Sequence, residues 1–314
     1  MKTLPERPVP LLLLTGTFIG LGFPLGKVAA QAGVSPVLWA ALLSLGAFLF
    51  SAGIMVFQAA AGRGSGLGEI RFCRQALFYA AGAGLISFVV PNLLLFAAIP
   101  HVGAGYMGLM FALSPVCTAV LALMNGFALP PRLERIGIVT GLLGAVVIAL
   151  SRMIAETGSP DVLWLLLAFL VPCSLAAGNV FRSRFWPAEA KPDQLALGSH
   201  GFALLAFSVI LFLQGDPGNF QLLKNVPYAT GLQLFCAGLT FAFFFRLQRV
   251  GGPVLLSQIG YVAAGTGLLI STVFLGESYP VLTWTGAGIV ALGVVFTLRS
   301  RWEEGKLSHR FRQQ

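Results

Sequence analysis

Residues 36–57 read PVLWAALLSLGAFLFSAGIMVF, an apolar run without a single charged side chain. About 20 apolar residues are enough for an α-helix to cross the hydrocarbon core of a bilayer. The run is continuously apolar and does not alternate, so it favours a helix over a strand of a membrane β-barrel. We therefore interpret this stretch as a transmembrane helix.

Similar runs occupy nearly the whole chain. Only 10% of the 314 residues are charged, whereas soluble domains carry about 25%. We therefore predict an all-α integral membrane protein with ten transmembrane helices and no separate soluble domain. The ten predicted helices are Val9–Gln31, Pro36–Phe57, Gln75–Ile99, Val102–Leu123, Ile136–Arg152, Val162–Phe181, Leu195–Leu213, Tyr228–Arg249, Pro253–Leu275 and Val281–Leu298.

The first run has some features of a signal peptide. Lys2 and Arg7 precede it, and Ala30-Gln31-Ala32 is similar to a cleavage site. The apolar run is longer than a signal-peptide core, however, and Lys27 interrupts its end. We interpret it as the first transmembrane helix.

The basic residues are distributed unequally between the two sides of the membrane. With ten spans, all but three of the 20 Lys and Arg fall on one side, and the three are Lys27, Arg152 and Lys224. The side rich in Lys and Arg is normally cytoplasmic. We therefore expect a multi-pass protein of the plasma (inner) membrane with both termini in the cytoplasm. The net charge of +9 is explained by this distribution, so nucleic acid is not expected as a partner.

The second half of the sequence repeats part of the first. Subtracting 149 from the numbers of the last two runs superposes them on the fourth and fifth runs. The unit is about five helices, an odd number, so the second copy enters the membrane from the opposite face. We predict two inverted five-helix repeats, residues 1–152 and 153–314 with a short cytoplasmic tail, a construction found in secondary transporters. The matched pairs are Gly252 with Gly103, Pro280 with Pro131, Gly286 with Gly137 and Gly293 with Gly144.

Two stretches carry a resemblance to a known family. They are Gly103 through Ser114-Pro115, and Phe274-Leu275-Gly276-Glu277 followed by Gly286 and Gly293. The chain resembles the ten-helix, EamA-type transporters of the drug/metabolite transporter superfamily over nearly its whole length. The first half departs from the pattern, because Ala128 stands where Glu277 stands in the second half. The resemblance implies movement of amino acids, other small metabolites or drugs, commonly outward.

Polar side chains within the predicted spans are candidates for a substrate-binding site, because they are costly in a membrane. Lys27 is suited to a substrate carboxylate, or it extends to the outer interface. Each of the others has packing or helix–helix hydrogen bonding as its alternative role. Arg182 is expected at the cytoplasmic rim. The predicted substrate-binding residues are Lys27, Asn92, Tyr106, Asn179, Thr240, Gln258 and Tyr261.

The ninth run carries the strongest local pattern. Gln258, Tyr261 and Gly265 are spaced at i, i+3 and i+7, which places them on one face of a helix. This polar face on an otherwise apolar helix favours a position beside the cavity. Structural hydrogen bonding is the alternative.

The remaining polar residues narrow the function. None of the eleven Asp and Glu lies in the middle of a predicted span, whereas a proton-coupled exporter of cationic drugs needs a buried carboxylate. The sequence has no catalytic pair and no metal-ligand cluster, so we expect neither an enzyme nor a cofactor. We predict a secondary transporter, an exporter or facilitator, of a small polar metabolite such as an amino acid, working by alternating access as a monomer. A membrane sensor or assembly protein without transport activity is the alternative.

Overall fold

The computed structural model describes residues 8–61, 74–155, 162–215 and 219–311. Within these ranges all regular structure is helical. A π-helical turn, Gly84–Val89, joins α3 to α4, and a 3₁₀ turn, Leu223–Asn225, follows α10. The helices are α1 (Pro8–Gln31), α2 (Pro36–Ala60), α3 (Arg74–Ala83), α4 (Val90–Val102), α5 (Ala104–Ala112), α6 (Ser114–Met124), α7 (Arg132–Ala155), α8 (Val162–Arg184), α9 (Pro192–Gln214), α10 (Asn219–Leu222), α11 (Pro227–Ser257), α12 (Ile259–Leu275) and α13 (Val281–Phe311).

Several of these helices are long and apolar enough to cross a membrane. Among the described residues seven segments meet this condition, and two shorter apolar helices, Met110–Met124 and Ile259–Leu275, accompany them. The predicted all-helical membrane fold is confirmed, but the number ten is not. The fourth and ninth predicted spans are interrupted helices, and the fifth, within α7, is not among the seven segments. The seven segments are Pro8–Gln31, Pro36–Ala60, Arg74–Val102, Leu163–Arg184, Pro192–Gln214, Pro227–Ser257 and Val281–Ser300.

The outer surface of the bundle is apolar. Large apolar side chains such as Phe212 and Val281, 85% and 83% exposed, point away from the core. A water-soluble protein does not cover itself with such side chains, whereas lipid tails solvate them. The described chain is therefore a multi-pass membrane protein.

Two helix starts use a proline in the same way. Pro36 and Pro192 each stand in the first turn, where the missing N–H has no partner to lose. The Ser35 hydroxyl accepts a hydrogen bond from the amide of Leu38 at 3.2 Å. The Gln194 side chain accepts one from the amide of Lys191 at 3.0 Å. These caps fix where α2 and α9 begin.

Two glycines that the sequence comparison of the two halves matched adopt nearly the same unusual backbone conformation. Gly103, between α4 and α5, has φ 81° and ψ 154°, and Gly252, within α11, has φ 69° and ψ −172°. Only glycine occupies this region without strain. Gly252 therefore divides α11, and Pro253 begins its last segment.

Helices α7 and α13 pack together through glycines. A Cβ added at Gly137 would lie 2.6 Å from the carbonyl oxygen of Gly293, and one added at Gly293 would lie 2.6 Å from that of Gly137. Gly144 and Gly286 have the same reciprocal relationship, at 2.6 and 2.8 Å. The antiparallel backbones touch without intervening side chains, as is common between membrane helices.

Two groups of packed helices surround the centre of the bundle, one built on α1 and the other on α8. Helix α1 packs against α11 and α12, and α8 packs against α4, α5 and α6. Small residues permit the close approach, since a Cβ at Gly20 would meet the carbonyl oxygen of Ala263 at 2.6 Å. Gly178 of α8 fits in the same way against the Ser87 side chain in the π turn.

The π turn follows from the sequence around Pro91. Proline has no N–H to donate four residues back, and its ring crowds the carbonyl at that position. In this chain that carbonyl belongs to Ser87, inside the π turn. A π turn accommodates the proline without ending the helix, and such turns often occur at functional sites.

Candidate functional site

A cavity of about 80 Å³ lies at the centre of the bundle. Its walls come from α1, α2, the π turn, α4, α5, α6, α8, α11 and α12. It thus contacts helices from both predicted halves of the chain. Its polar lining residues are Ser87, Asn92, Ser114, Asn179, Arg182, Gln233, Thr240 and Ser257.

The rest of the lining is strongly aromatic. Phe23 and Phe111 pack edge to face with ring centroids 5.4 Å apart. Phe88 and Phe241 do so at 5.2 Å. A cavity with this lining suits a solute with an apolar body and a few polar groups. The aromatic lining residues are Phe18, Phe23, Phe88, Phe96, Phe111, Phe241 and Phe244.

Arg182 is the charged group of this lining in the part of the chain that the structure describes. We expected it at the cytoplasmic rim, but its side chain is 2% exposed. Its Nε donates to Oε1 of Gln248 at 2.7 Å, and its Nη2 donates to Oδ1 of Asn179 at 2.6 Å. The rim prediction does not fit this structure, because Asn179 and Gln248 hold the guanidinium inside the bundle.

Aromatic rings complete the surroundings of Arg182. Its guanidinium carbon lies 4.8 Å from the ring centroid of Phe244 and 5.5 Å from that of Phe88. Such contacts stabilise a cation through the negative face of the ring.

A second layer of hydrogen bonds fixes these partners. The Gln248 amide donates to the carbonyl oxygen of Asn179 at 3.1 Å and to the Ser183 hydroxyl at 3.0 Å. The Asn179 amide donates to the Thr118 hydroxyl at 3.2 Å. The two amide oxygens are therefore oriented toward Arg182, and α6, α8 and α11 are joined at this point.

Three of the predicted binding residues, Asn92, Asn179 and Thr240, line the cavity. Asn92 donates to the carbonyl oxygen of Phe88 at 2.7 Å, within its own helix. Thr240 and Gln233 have no side-chain hydrogen bond to any residue in the described ranges, so they are available to a ligand. The substrate-binding role of all three predicted residues remains a prediction.

Lys27 is placed differently. It forms a salt bridge with Glu277, which also accepts a hydrogen bond from Tyr279. The pair joins the end of α1 to the turn between α12 and α13, and Lys27 is not part of the cavity lining. A role in binding the substrate remains a prediction for Lys27, with a structural role now visible beside it.

Gln258 and Tyr261 are fully buried but face α7 instead of the cavity. The Gln258 amide donates to Oε1 of Glu134 at 3.2 Å, and the Tyr261 hydroxyl donates to the carbonyl oxygen of Ile138 at 2.8 Å. The two side chains do share one face, as predicted, but in this conformation that face packs against α7 and does not line the cavity. The side chain of Tyr106, the remaining predicted residue, lies outside the described part of the structure, although its backbone belongs to α5.

The sequence analysis did not identify three cavity-lining residues, Ser87, Phe88 and Cys236. It also did not identify Gln248, which binds Arg182. Gln248 lies between Arg246 and Arg249, so it is easily assigned to the cytoplasmic rim with them. One sequence feature could have indicated the position of Arg182: it follows Asn179 by three residues, so both side chains lie on the same face of the helix. His200 is buried, stacks on Phe88 with ring centroids 4.1 Å apart, and has no hydrogen-bond partner among the described residues.

An apolar bundle with a central, partly polar cavity is an arrangement found in secondary transporters. Comparison with known proteins specifies the class, because the model of the EamA-like transporter family matches residues 7–150 and again residues 162–299. The chain therefore belongs to the EamA-like transporter family, in the drug/metabolite transporter superfamily.

Individual relatives are more distant. A protein of Escherichia coli (strain K12) named "Uncharacterized inner membrane transporter YedA" is 24% identical over 93% of this chain and 92% of its own length. The protein of the same name from Escherichia coli O157:H7 matches equally well. One solved crystal structure superposes with a TM-score of 0.64 at 19% identity, covering 95% of this chain and 99% of that one. At this identity the match shows the fold alone.

Proposed function

We propose that the chain is a secondary transporter that moves a small metabolite through the central cavity by alternating access. The observation that carries the proposal is the cavity itself, which is lined by α1, α4 and α5 of the first half and by α8, α11 and α12 of the second. A site between two repeats can open to either side when the repeats move against each other. Family membership supports the same class of function.

We further propose that the two halves, residues 1–152 and 153–314, are inverted repeats of five spans each. Three observations support this arrangement. The family model matches each half separately, and the matched glycines Gly103 and Gly252 share one rare conformation. In addition, Gly137 of α7 contacts Gly293 of α13, and Gly144 contacts Gly286. In the sequence match Gly137 corresponds to Gly286 and Gly144 to Gly293, so a two-fold axis would convert one contact into the other.

The proposed substrate is a small polar metabolite, with amino acids as one candidate class. Side chains that carry both donors and acceptors, such as Asn92 and Gln233, line the cavity and suit such a solute. The proposed location is the inner membrane, in line with the name of the Escherichia coli relatives. The distribution of Lys and Arg supports cytoplasmic termini.

Flux into sealed liposomes that contain the purified protein tests this function. The panel consists of labelled amino acids, nucleosides, organic acids and vitamins, each measured with and without a pH gradient. We expect saturable flux of one class that Thr240→Val reduces, because Thr240 lines the cavity. Thr285→Val is the matched control, since Thr285 is exposed on α13.

Absence of flux for every class, from protein shown to be folded, would contradict the proposal. The alternative of a membrane sensor or assembly protein would then be favoured. Co-purification of a partner from native membranes would support that alternative.

A further inference from the structure

The geometry points to Arg182 as the binding site for the carboxylate of an organic monoanion carried in the central cavity. This inference rests on the proposed transport function, and among small polar metabolites it favours organic monoanions over zwitterionic amino acids. It depends on three features of the described residues: a buried cation without an acid, an open edge on that cation, and a lining without negative charge.

The first feature is the surroundings of the charge. Arg182 is 2% exposed, its hydrogen bonds go to two neutral amide oxygens, and its guanidinium lies over two aromatic rings. Tyr79 and His200 are also close enough to interact with its charge, and neither is an acid such as Asp or Glu. Among the residues that the structure describes, no Asp or Glu forms a salt bridge with it. A buried charge is normally paired with an opposite charge, because desolvation is costly.

Two other cations of the described helices each have the acidic partner that Arg182 lacks. Lys27 pairs with Glu277, and Arg246 pairs with Asp193 at 2.9 Å. Both of these cations are more exposed than Arg182, yet both have an acid. Arg182 is the more deeply buried and has a neutral shell, so the site has a place for an anion that the protein does not supply.

The second feature is the free edge of the guanidinium. Nε and Nη2 each donate to an amide oxygen, whereas Nη1 has no hydrogen-bond partner in the described ranges. Arg182 lines the cavity, so a ligand there can accept from Nη1 and from the remaining hydrogen of Nη2. Two parallel N–H groups fit the two oxygens of a carboxylate.

The third feature sets the charge of the whole ligand. The described lining carries one cation and no acid, so a monoanion is neutralised in the cavity. A dianionic phosphate would keep one charge uncompensated, and the ammonium of a zwitterion would find no carboxylate. The seven phenylalanines of the lining favour an apolar body attached to the carboxylate.

Binding to the purified, detergent-solubilised full chain tests this inference with four probes of one shape. They are 3-phenylpropanoate, its neutral amide 3-phenylpropanamide, zwitterionic phenylalanine and cationic 2-phenylethylamine, at about pH 7, where the carboxylates are ionised. Calorimetry or thermal stabilisation gives the affinities. We expect 3-phenylpropanoate to bind about ten- to a hundredfold more tightly than the amide, since a charged hydrogen-bonded pair is lost.

Variants assign the preference to Arg182. In Arg182→Gln the preference for the carboxylate over the amide disappears, and in Arg182→Lys part of it remains. Arg299→Gln, which removes an exposed charge, keeps the full preference. The preference is a ratio within one variant, so a general loss of packing does not mimic it, and gel filtration shows which variants are folded.

Each outcome has one meaning. Equal or tighter binding of phenylalanine, the amide or the amine overturns the inference, and so does an unchanged preference in Arg182→Gln. If no probe binds to folded protein, the inference fails, while flux of another class in liposomes still supports transport. If 3-phenylpropanoate binds through Arg182 but neither it nor any solute of the flux panel is carried into liposomes, the carboxylate site stands and the proposed transport fails.

Discussion

Lys27, near the end of α1, forms a salt bridge with Glu277 in the turn between α12 and α13. The contact joins residues 250 positions apart, one from each half of the chain. In the proposed inverted repeat the position matched to Glu277 is Ala128, so the proposal gives this salt bridge no equivalent acid at the opposite end of the bundle. Under that proposal the charge pair makes the two ends of the molecule unequal.

Exchanging the charges of this pair tests whether its role is structural. Lys27→Glu and Glu277→Lys alone each place two like charges together, and we expect a lower melting temperature for both. The double exchange restores opposite charges and most of the stability, with a coupling of about 0.5–1 kcal/mol for a partly exposed pair. Thermal melting of the four proteins in detergent measures the double-mutant cycle.

The same proteins distinguish the structural role of Lys27 from substrate binding. If the salt bridge is its main role, the double exchange regains flux together with stability. Flux that stays absent in a stable double variant would instead support the predicted contact between Lys27 and the substrate.

The glycine contact between α7 and α13 predicts strong sensitivity to added side chains. Gly144→Val places two methyl groups where the Gly286 carbonyl and Val290 already lie. We expect destabilisation of about 1–3 kcal/mol, typical of overpacking, seen as a lower melting temperature. Gly288→Val on α13 is the control, because nothing lies within 4 Å of a Cβ there, and equal losses in both variants would contradict the packing described.

Tyr261→Phe separates packing from binding on the polar face of α12. The change removes the hydrogen bond from the hydroxyl to Ile138, so we expect a loss of about 0.5–1.5 kcal/mol with an unchanged KM for transport. Tyr228→Phe, at a side chain that is 91% exposed, should change neither quantity. A raised KM in Tyr261→Phe at normal stability would show that Tyr261 reaches the substrate in another conformation.

The overall architecture was predictable because membrane helices carry a strong one-dimensional signal. An apolar run such as Pro36–Phe57 must satisfy its backbone internally, which leaves the helix as the solution. The interruptions at Leu113 and Gln258 were not predictable in the same way. They lie within runs that remain apolar, so the number of complete spans could not be counted from hydropathy alone.

The site was harder to predict than the fold. Lipid and protein interior are both apolar, so a membrane helix has little amphipathic pattern to indicate which face points inward. Asn92 and Thr240 were identified by polarity and do line the cavity, but Gln258 and Tyr261 follow the same rule and pack against α7. Arg182 was assigned to the rim because it lies near the end of its span, and only its contacts with Asn179 and Gln248 place it inside.

Accessibility of single cysteines tests the proposed orientation. Lys224→Cys and Glu189→Cys are made at exposed positions in a variant whose native cysteines are replaced by serine. A maleimide that does not cross membranes should label position 224 in intact cells and position 189 only after permeabilisation, because the positive-inside rule places them on opposite sides. The reverse pattern would place the termini outside.

The π turn at Gly84–Val89 makes the cavity wall depend on chain length as well as on residue identity. Such a turn holds one more residue than an α-helical turn, and each residue of a helix advances it by about 100°. A single-codon deletion within this turn would leave composition and hydropathy almost unchanged. It would let the turn close into an ordinary α-helical turn, which keeps α3 and α4 near their present relative orientation, whereas an inserted residue would rotate α3 against α4 by about that angle. A single deletion at this turn should therefore be better tolerated than a single insertion.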